Sequence, residues 1–569
     1  MTDKLGTRAT VKTKGPAAVM TVPTVAFLTA AAVVTSLRGL PIMAKEELTM
    51  FVYIGFATIL FLVPAALISA ELGSAFADRR GGVYTWIGEA FGQRWGFVGI
   101  WLQWAQNVVW YPTGLAFAAA AAAYALNSAG LADAHIYVGL FCIATYWLAT
   151  LLAFRGNAVL AKVAKYGFLV GTVVPGAVLL GLFIYWAATG HAMGWSGATD
   201  PAVAITAGGE TTPRVLPLLT GLGSLAFLGN IMLLFAGVEV QAVHVREMKS
   251  PRRGFPLAML LASLIAVVVF LFGSIAVAGL VPYDDIVLQT GVFDAMGTVI
   301  VGLWNMSWLL QILAALVCYG ALSGALAWIS APSRAMLATA HDGLLPPILQ
   351  KTNSVGIQRN ILILQAIIVT VVSSIYLFTA DVSAAFFLIS TVTVSLYIVM
   401  YLFMYAAAIR LRYTQPNLPR DFKIPGGNAG MWIVAGIGFI AVAFSLLVSF
   451  FPPTQLPIGN PVTYVSLVAG GLVVFVGAAL LIYQFRKPSW KDAQPGQKRH
   501  DSSFLVPAMS TASNGSNVRV SEASAESAAD RLEGAEDAFE EGLTNDALER
   551  LGLLPIPDAT PSAGPAPAA

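Results

Sequence analysis

The sequence predicts an all-α, polytopic membrane protein of about twelve transmembrane helices, and three observations predict it. Of 569 residues, 57% are hydrophobic and only 11% charged, about half the charged share a water-facing surface carries. Apolar runs of membrane-crossing length recur along the chain. Lys and Arg gather in every second connection between those runs.

A helix needs about 20 mainly apolar residues to cross the bilayer core. Spans are expected at 22–44, 49–74, 96–126, 136–154, 166–188, 216–240, 256–281, 297–330, 361–379, 382–408, 431–451 and 463–485. The even-to-odd connections carry 17 cations, from Arg79 to Lys423, while the opposite ones offer Lys45, Arg214 and Arg38 beside Asp284, Asp285 and Asp294. Positive charge marks the cytoplasmic side, so both termini are expected in the cytoplasm. The connection 189–215 is Gly-, Thr- and Ala-rich and reads as a surface loop. The stretch Pro282 to Asp294 is long enough for a short re-entrant or surface helix.

Three segments are expected: a cytoplasmic tail over 1–20, a transmembrane unit over 21–487 and an acidic tail over 488–569. Residues 1–20 are polar and basic, with no cleavable signal pattern. From Asp501 to Ala569 there are 12 acids against 3 Arg, with too few large apolar side chains to offset ordering entropy. Within it, Ser521 to Leu551 repeats apolar residues at near-helical spacing, as either a solvated tail or a docking amphipathic helix.

Breaks within spans are the chemically telling feature. A helix satisfies its own backbone in hydrocarbon, so an interruption exposes polar groups that seek a partner, and transporters bind their substrates there. Span 1 is interrupted at Thr35-Ser36-Leu37-Arg38-Gly39-Leu40-Pro41, span 6 at Gly229 and again at Phe235-Ala236-Gly237-Val238-Glu239. Breaks in the first and sixth spans are what a repeat of five plus five spans of inverted topology would show.

Arg38 has two readings: a guanidinium snorkelling to headgroups, or a cavity cation paired with a substrate carboxylate or an intramembrane acid. Glu239 is either a structural acid or the group that carries a coupling proton. Glu71, ending span 2 close to Arg79 and Arg80, reads as a structural ion-pair member. In span 3, Gln103, Gln106 and Asn107 among Trp101, Trp104, Trp110 and Tyr111 must turn inward to find partners, and amides among rings suit a small-molecule site. Cys142 and Cys318 lie in apolar runs and read as small hydrophobes. The His residues, among them His244 and His500, are scattered. No metal site, cofactor or nucleic-acid partner is implied, and no reactive constellation of an enzyme is visible.

Several motifs resemble those of the amino acid–polyamine–organocation superfamily. They are Phe235 to Glu239, Glu247-Met248-Lys249-Ser250-Pro251-Arg252-Arg253, Phe255-Pro256-Leu257-Ala258, Ala70-Glu71-Leu72, Gly81-Gly82-Val83-Tyr84 with Trp86, and Phe91-Gly92 with Arg94-Trp95-Gly96-Phe97. With Ala331-Pro332-Ser333-Arg334 and Phe422-Lys423-Ile424-Pro425-Gly426-Gly427, they look closest to the bacterial glutamate/GABA antiporter branch. The resemblance covers residues 20–487. It implies a 5+5 inverted repeat plus two extra helices in a bacterial inner membrane. It also implies antiport or proton-coupled uptake of amino acids, with polyamine or organic-cation exchange as the alternative. The implied partners are an amino acid, a coupling proton or a counter-transported amino acid, and the lipid bilayer. Carried over residue by residue, Ser36, Arg38 and Gly39 fall in the span 1 break, Phe235, Gly237 and Glu239 in the span 6 break, and Gln106 at a matching glutamine. The chain departs from the branch at Arg38, where a tyrosine is the pattern, at Gly324, where a glutamate is, and in its acidic tail, where the branch has a basic plug. Some sodium-independent members place a lysine where Thr172 stands.

Overall fold

The structure is a computed structural model that describes residues 21–491 except 35, 77–81, 157–162, 164–165, 208–209, 241–247, 249–250, 355 and 457–459. Residues 1–20 and 492–569, including the segment Ser521 to Leu551, lie outside the described residues, as do Arg79, Arg80, His244, Glu247 and His500. Eleven described helices are long and apolar enough to cross a membrane, and span 1, broken in two, makes the twelfth. The protein is a multi-pass helical membrane protein. The face holding the even-to-odd connections is called the basic face below, and its opposite the acidic face.

Span 1 starts at Val22, where Thr21 Oγ1 accepts from Thr24 N–H, and its first helix stops at Val33. Ser36 is fully extended, its Oγ accepts the Arg38 N–H, and a single 3-10 turn, Leu37–Gly39, leads into the helix Leu40–Ala44. The break therefore begins after Val33 and includes Ser36, earlier than Gly39 and Pro41 imply. Pro41 sits in the first turn of the second piece, where its missing N–H costs nothing. Gly39 serves packing instead: a Cβ there would lie 2.5 Å from Leu234 of span 6. Span 6 runs as helix over Phe227–Leu234 and leaves it at Phe235, with Gly237 at φ +114°, a backbone that side chains rarely tolerate.

Spans 2 and 5 each contain a wide π turn, Ala57–Leu62 and Leu169–Val173, directly before Pro64 and Pro175. A proline without an N–H loosens the helical ladder at that point. Tyr405 of span 10 donates to the Phe61 carbonyl inside the first of these turns.

Three long helices form the interior: span 3 (Gln93–Ala125), span 8 (Ser307–His341) and span 10 (Val382–Thr414). Span 3 packs on both of the others. Pro332 cannot donate to the carbonyl four residues back, that of Trp328. Asn107 Nδ2 of span 3 supplies the missing donor, at 3.2 Å. Asn107→Leu is expected to cost about 1–3 kcal/mol by orphaning that carbonyl. Thermal unfolding in detergent checks this, and an unchanged midpoint would show that another donor takes over.

One expected boundary needs correction, and two elements were not expected. Span 8 begins at Ser307, not 297: a separate helix, Gly291–Ile300, precedes it, and the chain turns through Gly302 and Asn305, the latter at φ +52°. The apolar run Val-Ile-Val-Gly-Leu-Trp hides that turn. The connection 189–215 holds an antiparallel strand pair, Ala204–Ala207 with Glu210–Pro213. Between spans 2 and 3 lies an unexpected helix, Val83–Phe91, flanked by Gly82 and Gly92 at positive φ.

Candidate functional site

The break in span 1 faces a cavity of about 50 Å³, walled by spans 1, 3, 6, 7, 8 and 10. That is room for a few water molecules, since one needs roughly 10–15 Å³ of such space. Ser36, Arg38, Gly39 and Gln106 all line it, as do Asn107, Trp110, Phe270, Trp328 and Tyr397.

Arg38 is only 4% exposed, and its side chain turns into the bundle, which rules out snorkelling. Nη1 donates to Thr113 Oγ1 at 3.1 Å, and Thr113 in turn donates to the Trp110 carbonyl at 2.8 Å. The guanidinium carbon lies 5.4 Å from the Trp110 ring and 5.7 Å from that of Phe386, both within cation–π range. Aromatic faces stabilise its charge without neutralising it. Among the described residues no carboxylate pairs with it. A guanidinium has five N–H donors, and the one side-chain hydrogen bond here leaves most of the fork for another acceptor.

Glu239 lies one layer back from the cavity. Gln103 Nε2 donates to its Oε1 at 3.2 Å, and the hydroxyls of Tyr397 and Tyr401 donate to its two oxygens. Gly237 N–H donates to the Tyr401 hydroxyl at 3.2 Å. Tyr397 alone of this group reaches the cavity wall, so it stands between Glu239 and the cavity. Phe235 and Gly237 do not line the cavity either. Phe235 is fully buried against Phe270, ring centroids 5.3 Å apart in edge contact, and Phe270 is the ring on the wall.

Gln106 Nε2 donates to the Gln103 carbonyl at 3.1 Å, which fixes the amide at the cavity edge. Behind it, Trp104 Nε1 donates to Gln365 Oε1 at 3.0 Å and Gln365 donates to the Tyr146 hydroxyl, tying span 3 to spans 9 and 4. Thr113, Phe386 and the three tyrosines of span 10 were not singled out in the sequence. A signal did exist for the tyrosines: Tyr397, Tyr401 and Tyr405 recur every four residues, which puts three hydroxyls on one helix face.

On the basic face, Glu71 is 1% exposed and fully engaged. Arg412 grips it with Nε on Oε1 and Nη2 on Oε2, both 2.6 Å, and Ile424 N–H donates at 2.8 Å. Arg420 Nε lies 3.2 Å away. The ion pair expected near Arg79 and Arg80 is thus made with the end of span 10 and the loop after it. Among the described residues, no three His, Cys, Asp or Glu side chains are grouped to hold a metal ion.

Two helices broken at corresponding places, five spans apart, around a buried cavity define a membrane transporter of the inverted-repeat kind. This chain belongs to the amino acid permease family, whose model matches residues 20–491. It is 36% identical over 443 residues to an uncharacterized transporter of Legionella pneumophila, covering 78% of this chain and 92% of the relative. A glutamate/gamma-aminobutyrate antiporter of Lactococcus lactis is 29% identical over 493 residues, 86% of this chain and 95% of the relative. A probable agmatine/putrescine antiporter of the same species is 24% identical over 445 residues, 78% and 90% respectively.

Proposed function

We propose that this protein moves amino acids across the bacterial cytoplasmic membrane by alternating access, as an antiporter or with proton-coupled uptake, and that Arg38 receives the substrate carboxylate. The observation that carries the reading is the guanidinium at the cavity wall, which no carboxylate pairs among the described residues. Its planar fork matches a carboxylate in two parallel hydrogen bonds. Ser36 flanks it, Gln106 and Asn107 offer amides, and Trp110, Phe270 and Trp328 enclose the side chain. Glu239 is the candidate for handling a coupling proton, and Tyr397 links it to the cavity.

The agmatine/putrescine relative supports organic-cation exchange as the rival. Arg38 argues against it: a cationic substrate would meet an uncompensated positive charge at contact distance. Exchange of glutamate for its decarboxylated product, as in the antiporter relatives' name, fits an anion-holding site, since both molecules keep a carboxylate. Reconstituted protein should take up radiolabelled amino acid faster when vesicles hold internal amino acid. Equal rates with empty vesicles would point to net uptake instead.

The reading places the basic face in the cytoplasm with both termini. Cysteines introduced at Ser196 or Asn460 should then react with an impermeant thiol reagent added outside, and one at Ser250 should not. The reverse pattern would invert the topology.

A further inference from the structure

The connection between spans 1 and 2, on the acidic face, buries three consecutive charged residues. Lys45, Glu46 and Glu47 are 5%, 1% and 0% exposed. Lys45 Nζ donates to the Tyr283 carbonyl at 2.7 Å and sits 4.4 Å from that residue's ring. Glu46 accepts from Gln455 Nε2 at 3.1 Å and from Thr49 Oγ1 at 3.4 Å. Glu47 has no such help: neither carboxylate oxygen has a hydrogen-bond donor among the described residues. Its backbone stands at φ +46°, a conformation that costs a residue with a side chain free energy. Packing, not bonding, therefore holds this acid in place.

The surroundings add negative charge. Lys45 faces Glu47 from its own connection, Asp200 from the loop before the strand pair, and Asp284 and Asp285 from the turn after span 7. Glu46 faces Asp200 as well, with Tyr53 of span 2 and Tyr283 nearby. The described helices of spans 6 and 7, Phe227–Leu234 and residues 254–280, bring no charged side chain. Among the described residues Lys45 is thus shared among four carboxyl groups, those of Glu47, Asp200, Asp284 and Asp285. An ionised carboxylate without water or a donor is far costlier than the neutral acid, and burial pushes Glu46 up to about 8. Glu239 is the opposite arrangement, its oxygens filled by three donors.

We propose that Glu46 and Glu47 form a proton-binding site on the exterior side, occupied while the two acids are buried, as they are here, and emptied when that side opens to water. The proposal rests on the alternating-access reading and its orientation. Each proton comes from external water onto a carboxylate oxygen and returns the same way, so opening and proton release are one event. The sign follows: the neutral acids favour the sealed form, fully so below their ordinary value of 4.5. That advantage fades as pH rises toward about 8. Acid seals the exterior, and alkali lets it open.

The test needs no substrate. In a chain whose Cys142 and Cys318 are replaced by serine, Ala236→Cys puts a thiol on the cavity wall, and its reaction with an external impermeant reagent reports opening. Rates are normalised to a cysteine at the exposed Ser196, which removes the pH dependence of the thiol itself. The normalised rate should rise about tenfold between pH 5.5 and 8.5. It should stay at its low-pH level in the double variant Glu46→Gln/Glu47→Gln, since glutamine imitates the protonated acid, and rise less in Glu47→Gln alone. An undiminished rise in both variants, or no rise in the parent, would overturn the proposal. Failure of the Ser196 thiol to react from outside would instead overturn the orientation beneath it.

Discussion

Replacing Arg38 with glutamine should raise the apparent substrate constant about ten- to hundredfold while leaving the amount of folded protein unchanged. The guanidinium has no acid partner among the described residues, so its removal orphans no buried charge. What it removes is a charge-assisted pair with the substrate, about 1.5–3 kcal/mol, at ~1.4 kcal/mol per tenfold in affinity. Arg38→Lys keeps the charge and loses the fork, so its effect should be smaller. Initial uptake rates against substrate concentration in proteoliposomes check both. Near-normal uptake by the glutamine variant would take Arg38 out of the site and leave the carboxylate to the backbone at the span 1 break.

The second large effect concerns folding rather than transport. Arg412→Ala should sharply reduce the yield of monodisperse protein and its thermal midpoint in detergent. It leaves Glu71 buried with its principal cation gone, and breaking a buried pair from one side costs about 3–5 kcal/mol. The loop carrying Ile424 would also lose its hold, since Arg412 donates to the carbonyls of Gly427 and Ile424 at 3.2 Å each. Arg412→Lys should fall between, retaining charge without the two-pronged grip. A midpoint unchanged in Arg412→Ala would mean that Arg420 alone, 3.2 Å from Glu71, compensates the acid.

What was legible in the sequence was whatever stands out locally against hydrocarbon. Arg38, the Gly237 break, the polar stripe of span 3 and the alternation of basic connections each contradict an apolar helix at their own position. What was not legible shares a cause, which is that partners are chosen over long distances. Glu71 sits near Arg79 and Arg80 in sequence, yet a residue 341 positions away holds it. Glu239 could be read as a structural acid or a proton carrier, and the residue that stands between it and the cavity, Tyr397, lies 158 positions on. Pro41 looked like the break itself, but proline is at home in the first turn of a helix, and the interruption lies earlier, after Val33 and at the extended Ser36. Glu46 and Glu47 drew no attention because acids in a connection are ordinary. Only packing against the turn at Tyr283 and the loop at Gln455 makes them buried.

The central claim, an amino acid held by its carboxylate on Arg38, is tested most directly by paired competition in proteoliposomes. Uptake of a labelled amino acid is measured against each unlabelled amino acid and against the primary amine that differs from it only by loss of its sole carboxylate. The account predicts that the amino acids compete and that their amines fall at least about tenfold behind, with the gap shrinking in Arg38→Gln. Amines that compete as well as their parent amino acids in the native protein would contradict it.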